Sequence, residues 1–220
     1  MDGRTRVTNA PEPEPGTRAW RSRCTGVVLA GGGARRLGGI AKGLESVGGH
    51  RILDRVVRAL ADATEEVVIS SNAEDAVRWV PTLAVVRDAS PGAGAIGGIL
   101  AAIDATESAV ITLPWDMPFV PGTLLRALRE TGELHEADAV LPASEGPWGV
   151  EPLVGWFSPW CAPAIADRLR AGDARAGAWL SDVRTMRVDC SPWGDAARLF
   201  FNVNTPDELT EAQRMHEALE

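Results

Sequence analysis

The chain has 220 residues, enough for one sizeable α/β domain with a full core and too few for two generous ones. A formal charge of −8 and a pI near 5.0 exclude a nucleic-acid or anionic-membrane partner, since both demand a basic face, so an anionic ligand must be held by local charge. Three widely spaced cysteines without a C-x-x-C pair argue against a disulfide scaffold or a zinc site. The absence of a membrane-length apolar run or a signal-type N-terminus makes a reduced cytoplasmic protein the expectation.

Residues 1–22 carry the Pro-Glu alternation Pro11-Glu-Pro-Glu-Pro15 and no apolar periodicity, which predicts a disordered tail ahead of a single domain over 23–220. Thr25 to Ala30 is an apolar run ending in glycines, the pattern of a buried parallel strand entering a tight loop. That loop, Gly31-Gly32-Gly33 onward, ends at Lys42, the only lysine in the chain. An ammonium is a compact, flexible point charge where guanidinium is a planar fork, so a lysine kept in an arginine-rich chain points to a role that arginine cannot fill. The glycines free backbone N–H groups to close on an anion, and Arg35, Arg36 and Lys42 supply charge to grip a triphosphate. A Walker loop is excluded because Gly38 is followed by Gly39 and Ile40. A dinucleotide fingerprint is excluded because Arg36 stands where its third glycine belongs.

Farther along, Ile52, Leu53, Val56, Val57 and Leu60 share one helical face, and Glu66 to Ser71 and Leu83 to Arg87 read as strands. Ile96, Ile99, Leu100 and Ile103 mark a second helix, and Ala109 to Leu113 a strand running into Trp115-Asp-Met-Pro-Phe119. This alternation predicts a mostly parallel sheet covered on both faces. The second half continues with a helix over Leu124 to Arg129, strands over Ala137 to Leu141, Glu151 to Phe157 and Thr185 to Val188, and helices over Trp160 to Leu169 and Ala174 to Leu180. Thr205-Pro-Asp-Glu208 has capping-box spacing with proline at the first helical position, so a last helix runs from there to about Leu219. Trp115, Trp148 and Trp156 lie near strand or loop ends where they can stack on a flat heterocycle, with core packing the plainer expectation for each.

Leu29-Ala-Gly-Gly32, Arg36-Leu-Gly-Gly39 and Lys42 resemble the L-A-G-G-x-x-x-R-M-G-G-x-D-K signature of the molybdenum cofactor guanylyltransferases. Gly94-Ala-Ile-Gly-Gly98, Asp116-Met-Pro-Phe119 and Asn202-Val-Asn-Thr-Pro206 continue the resemblance in the right order from Thr25 to the C-terminus. It implies a Rossmann-like three-layer sandwich with a mostly parallel mixed sheet, as in the nucleotide-diphospho-sugar transferases. It also implies Mg²⁺-dependent transfer of GMP from GTP to a phosphorylated acceptor, a molybdopterin-type cofactor, with release of pyrophosphate.

Carried over residue by residue, the resemblance makes Arg36, Lys42 and Asp116 catalytic. Leu29, Ala30, Gly31, Gly32, Gly33, Lys42, Asp88 and Asp116 would contact the nucleotide, and Asp116 with Asn204 would hold the metal. A carboxylate at the end of a buried strand suits Mg²⁺, and Asn204 supplies a neutral oxygen. Gly31 favours guanine, because related cytidylyltransferases tend to read L-A-A-G. Ala41 departs from the family, which usually has an acid before the lysine. The alternatives are guanylyl or cytidylyl transfer to another phosphorylated metabolite, a catalytically silent nucleotide-binding relative, and an NAD-binding domain, disfavoured by the missing third glycine and ribose acid.

Overall fold

The structure, a computed structural model, describes residues 23–31, 42–88 and 92–218. Strand β1 (Cys24–Leu29) is buried along its whole length because it is covered on both sides: Cys24 and Val28 join one apolar cluster, Val27 and Leu29 the other. A 3-10 turn at Lys42–Leu44 leads into a small hairpin, β2 (Ser46–Val47) and β3 (His50–Arg51), and then helix α1 (Ile52–Ala61). Next come β4 (Glu66–Ser70), β5 (Ala84–Val86), α2 (Gly94–Thr106), β6 (Ala109–Pro114) and α3 (Gly122–His135). The remainder consists of β7 (Ala139–Pro142), β8 (Gly155–Phe157), α4 (Cys161–Arg170), β9 (Thr185–Val188), α5 (Ala196–Leu199) and α6 (Pro206–Glu217).

Seven strands form one sheet in the order β5-β4-β1-β6-β8-β7-β9. All its neighbours pair parallel except β8, which runs antiparallel to both β6 and β7. Apolar residues of α1 and α3 cover one face and those of α2 and α4 the other, giving the three-layer α/β sandwich expected of the sequence. The fully buried Leu124, Leu125 and Leu128 anchor α3, which is longer at both ends than the apolar pattern alone predicts.

Two expected elements are corrected. The strand expected over Glu151 to Phe157 is confined to Gly155–Phe157; Glu151 to Val154 is a turn in which the Val154 N–H donates to the Glu151 carbonyl at 3.3 Å. Pro152 has no N–H to give a ladder, which interrupts pairing between Val150, bridged to Ala143, and the strand. The helix expected over Ala174 to Leu180 is a series of turns closing in a 3-10 turn at Leu180–Asp182. Helix propensity yields there to packing: Gly177 sits so close to the Trp148 ring that a Cβ would lie 2.5 Å from Cδ2, and the Trp179 indole N–H donates to the Ala176 carbonyl at 3.1 Å. The last helix ends at Glu217, and the expected tail over 1–22 lies outside the described residues. Among those residues no helix is long and apolar enough to cross a membrane.

All three cysteines are free and buried. Burial pushes the Cys24 thiol up to about 12, holds Cys161 well above its ordinary value, and raises Cys190 as well. Because the thiolate is the reactive form, the native protein should resist a thiol-titrating disulfide reagent at mildly alkaline pH and release all three thiols only on unfolding. Rapid labelling of the folded protein would contradict this burial.

Candidate active site

The carboxyl ends of β4, β1 and β6 are held level by hydrogen bonds between their outgoing loops. The Ala30 N–H donates to the Ser70 carbonyl at 3.0 Å, the Ser71 hydroxyl donates to the Ala30 carbonyl at 2.8 Å, and the Trp115 N–H donates to the Leu29 carbonyl at 3.2 Å. Since β8 is antiparallel, the turn that precedes it arrives at this same edge. A cavity of about 770 Å³ runs along the edge, with Gly31, Ser70, Asp88, Gly98, Asp116 and Glu151 among its walls. Open α/β sheets bind ligands in this position.

At the rim the Lys42 ammonium donates to the Asn204 side-chain oxygen and lies 3.7 Å from an Asp116 carboxylate oxygen. The Lys42 and Asp116 side chains are only 12% and 16% exposed. Three devices fix this cluster. Gly43 presses on the Trp115 ring so closely that a Cβ would lie 2.5 Å from Cε3, and Trp115 in turn stacks on Trp79 at 4.7 Å, which sets the height of the Lys42 turn. The Val203 N–H donates to the Asp116 carbonyl at 2.9 Å, tying the Asn202 to Asn204 segment to the end of β6. The capping box then orients Asn204: Thr205 Oγ1 accepts from the Glu208 N–H at 3.2 Å, and the Glu208 carboxylate accepts from the Asn204 N–H at 2.7 Å.

Burial pushes the Asp116 carboxyl above its ordinary value even though Lys42 pulls it down. The folded state therefore holds a proton on Asp116 more tightly than the unfolded chain does. The stability this group contributes is present at low pH and is lost as pH rises through its folded pKa.

At the other end of the cavity, α2 brings its first turn against the sheet. A Cβ on Gly98 would lie 2.6 Å from Ser70 Oγ, and one on Gly97 2.3 Å from Asp88 Oδ2, so the Gly97-Gly98 pair lets the helix approach both. Asp88 is held by its own N–H, which donates to the Asn72 side chain at 3.0 Å.

The MobA-like NTP transferase domain profile matches residues 26–187. The chain belongs to the MobA-like NTP transferase family. A molybdenum cofactor guanylyltransferase of Cupriavidus metallidurans is 30% identical over 90% of this chain and 96% of its own length. One of Cereibacter sphaeroides is 33% identical over 88% of this chain and 97% of its own. The fold is shared with a molybdopterin-guanine dinucleotide biosynthesis protein A from Archaeoglobus fulgidus, at a TM-score of 0.74 and 24% identity, covering 88% of this chain and 99% of that one. The chain is accordingly a nucleotidyltransferase.

Of the residues singled out in the sequence, Leu29, Ala30, Gly31, Asp88 and Asp116 line one cavity, and Lys42 and Asn204 meet Asp116. Gly32, Gly33 and Arg36, with Arg35 and Ala41, lie outside the described residues. Trp156 is fully buried and Trp148 packs on Gly177; Trp115 reaches the cavity but is covered by Gly43 and Trp79, so all three side chains serve packing. Sequence reasoning assigned no catalytic role to Glu151, whose place at the edge depends on the reversed direction of β8.

Gly43→Ala should destabilise this MobA-like domain by about 1–3 kcal/mol through overpacking against Trp115 and change the tryptophan fluorescence; denaturant unfolding checks it, and wild-type stability would refute the contact. Burial costs the Asp116 charge more than Lys42 returns, so Asp116→Asn should melt no lower than the parent at neutral pH. A clear drop in Tm would show the charge to be structural.

Proposed function

We propose that this nucleotidyltransferase moves GMP from GTP to a phosphorylated pterin of the molybdopterin type, with Mg²⁺, and releases pyrophosphate. The observation that carries the reading is the Lys42 ammonium held against both Asp116 and Asn204 at the rim of a cavity on the carboxyl edge of the sheet. The names of the curated relatives support guanylyl transfer and a molybdenum-cofactor acceptor, and Gly31 supports guanine over cytosine.

The residues fit a hard divalent cation. Asp116 and Asn204 offer a carboxylate and an amide oxygen, and a lysine cation already rests against the pair as a stand-in. Mg²⁺ keeps several waters, so two protein oxygens are enough to place it. When bound, Mg²⁺ would neutralise phosphate charge and fix the geometry of in-line displacement.

The chain's own part is positioning and charge. The Gly31 backbone approaches the phosphates; by the family resemblance Gly32 and Gly33 would share that task, and Arg36 would stabilise the departing pyrophosphate. Lys42, on leaving Asp116 and Asn204, follows the charge that develops on pyrophosphate, while Asp88 and the α2 end of the cavity take the nucleoside. An acceptor phosphate oxygen forms the new bond to the α-phosphorus as the bond to the β-phosphate oxygen breaks, so no enzyme nucleophile is required. We read residues 23–220 as the catalytic domain, with the 1–22 segment ahead of it, in a cytoplasmic protein to which its free thiols are suited.

Pyrophosphate release from purified protein with Mg²⁺ and GTP, CTP or ATP, with and without molybdopterin, tests this. Release is expected with GTP and to depend on the cofactor, and Asp116→Asn should cut it by about 100-fold or more. Gly31→Ala should raise the KM for GTP without loss of stability, since a Cβ there meets no described atom within 4 Å. Preference for CTP, release without the pterin, or normal turnover by the Asp116 variant would overturn the assignment.

A further inference from the structure

The turn before β8 carries a carboxylate that the reaction above does not use. Glu151 lines the cavity and is half-buried. Its backbone is fixed on both sides: the Glu151 N–H donates to the Pro142 carbonyl at 3.0 Å, and the Leu153 carbonyl accepts the Thr112 hydroxyl at 2.7 Å. Thr112 lies on β6, the strand that leads to Asp116, so one rigid element sets the place of both carboxylates. The Leu153 backbone N–H lies beside the Glu151 carboxylate, among the described residues no cation pairs with it, and the side-chain charge acting on it is that of Asp116. A partly desolvated carboxylate with one backbone donor and spare lone pairs facing a cavity is matched by a ligand with N–H donors.

We propose that Glu151 is the residue that recognises the acceptor's heterocycle, accepting paired hydrogen bonds from the 2-amino group and adjacent ring N–H of a 2-amino-4-oxo pyrimidine edge, as in a pterin. This rests on the acceptor reading given above. Guanine presents the same donor pair, but Asp88, Ser70 and the α2 glycines lie on the β5–β4 side of β1, whereas Glu151 lies beyond β6. The sheet order thus separates the two ends and leaves Asp116 between them, where the phosphates of donor and acceptor must meet. A carboxylate also rejects an analogue that carries a carbonyl in place of the 2-amino group, because two acceptors would then face each other.

The test pairs a chemical change with a protein change. Binding of 6-hydroxymethylpterin and of the matching lumazine, in which oxygen replaces the 2-amino group, is titrated by ligand fluorescence into the parent and Glu151→Gln. Pyrophosphate release from GTP and ITP is followed in the same proteins with molybdopterin. The parent should prefer the pterin by at least about tenfold, the range of one bidentate contact, and Glu151→Gln should erase that preference. The variant should raise the KM for molybdopterin while leaving the KM for GTP and the GTP-to-ITP ratio unchanged, a split that a merely structural role would not give. If molybdopterin-dependent release from GTP is present but the variant keeps the parent's pterin preference, the assignment of Glu151 falls and the function stands. Loss of the GTP-to-ITP ratio in the variant would move Glu151 to the nucleotide and overturn the proposal. Absence of molybdopterin-dependent release in the parent would instead overturn the function on which it rests.

Discussion

A single ammonium group joins parts of the chain that are 162 residues apart in sequence. Lys42 reaches the Asn204 side chain from the first loop and lies 3.7 Å from Asp116 at the end of β6, the middle strand of the sheet. Much of the local structure serves that meeting. The Gly43, Trp115 and Trp79 stack sets the height of the lysine, the Val203 to Asp116 backbone bond brings the C-terminal segment across, and the capping box of α6 turns Asn204 inward. Lysine suits the position because its one flexible charge can rest on two oxygens and later leave them, whereas a guanidinium fork would demand a planar partner.

The strands that build the site were legible because each is a short apolar run ending in a polar or glycine residue, and a strand covered on both faces can hardly read otherwise. Asp116 and Asn204 stood out for a related reason: each lies beside a clear signal, Asp116 just after a buried strand and Asn204 just before a capping box. What the sequence did not disclose is direction. Gly155–Phe157 reads as a strand whichever way it runs, yet only the antiparallel course of β8 carries Glu151 to the edge that Asp116 occupies. The segment from Ala174 to Leu180 misled for the opposite reason. Its alanines favour a helix locally, but Gly177 is required against Trp148, a partner far away in sequence that no local pattern contains.

The charge around the cavity constrains what can enter it. Among its described walls are three carboxylates, Asp88, Asp116 and Glu151, and Lys42 is already shared between Asp116 and Asn204. The Asp116 carboxylate at that rim repels a bare triphosphate, in a chain whose formal net charge is −8. Under the proposed function, a nucleotide that brings its own divalent cation relieves this conflict at the place where Lys42 now stands, and it frees the lysine to follow the phosphates. Burial of Asp116 works toward the same end. The raised pKa marks a charge held at a cost, and under the proposed function an arriving cation would recover that cost as binding free energy. On that reading, the same loss of solvation that makes Asp116 expensive to ionise would favour a ligand that carries a metal.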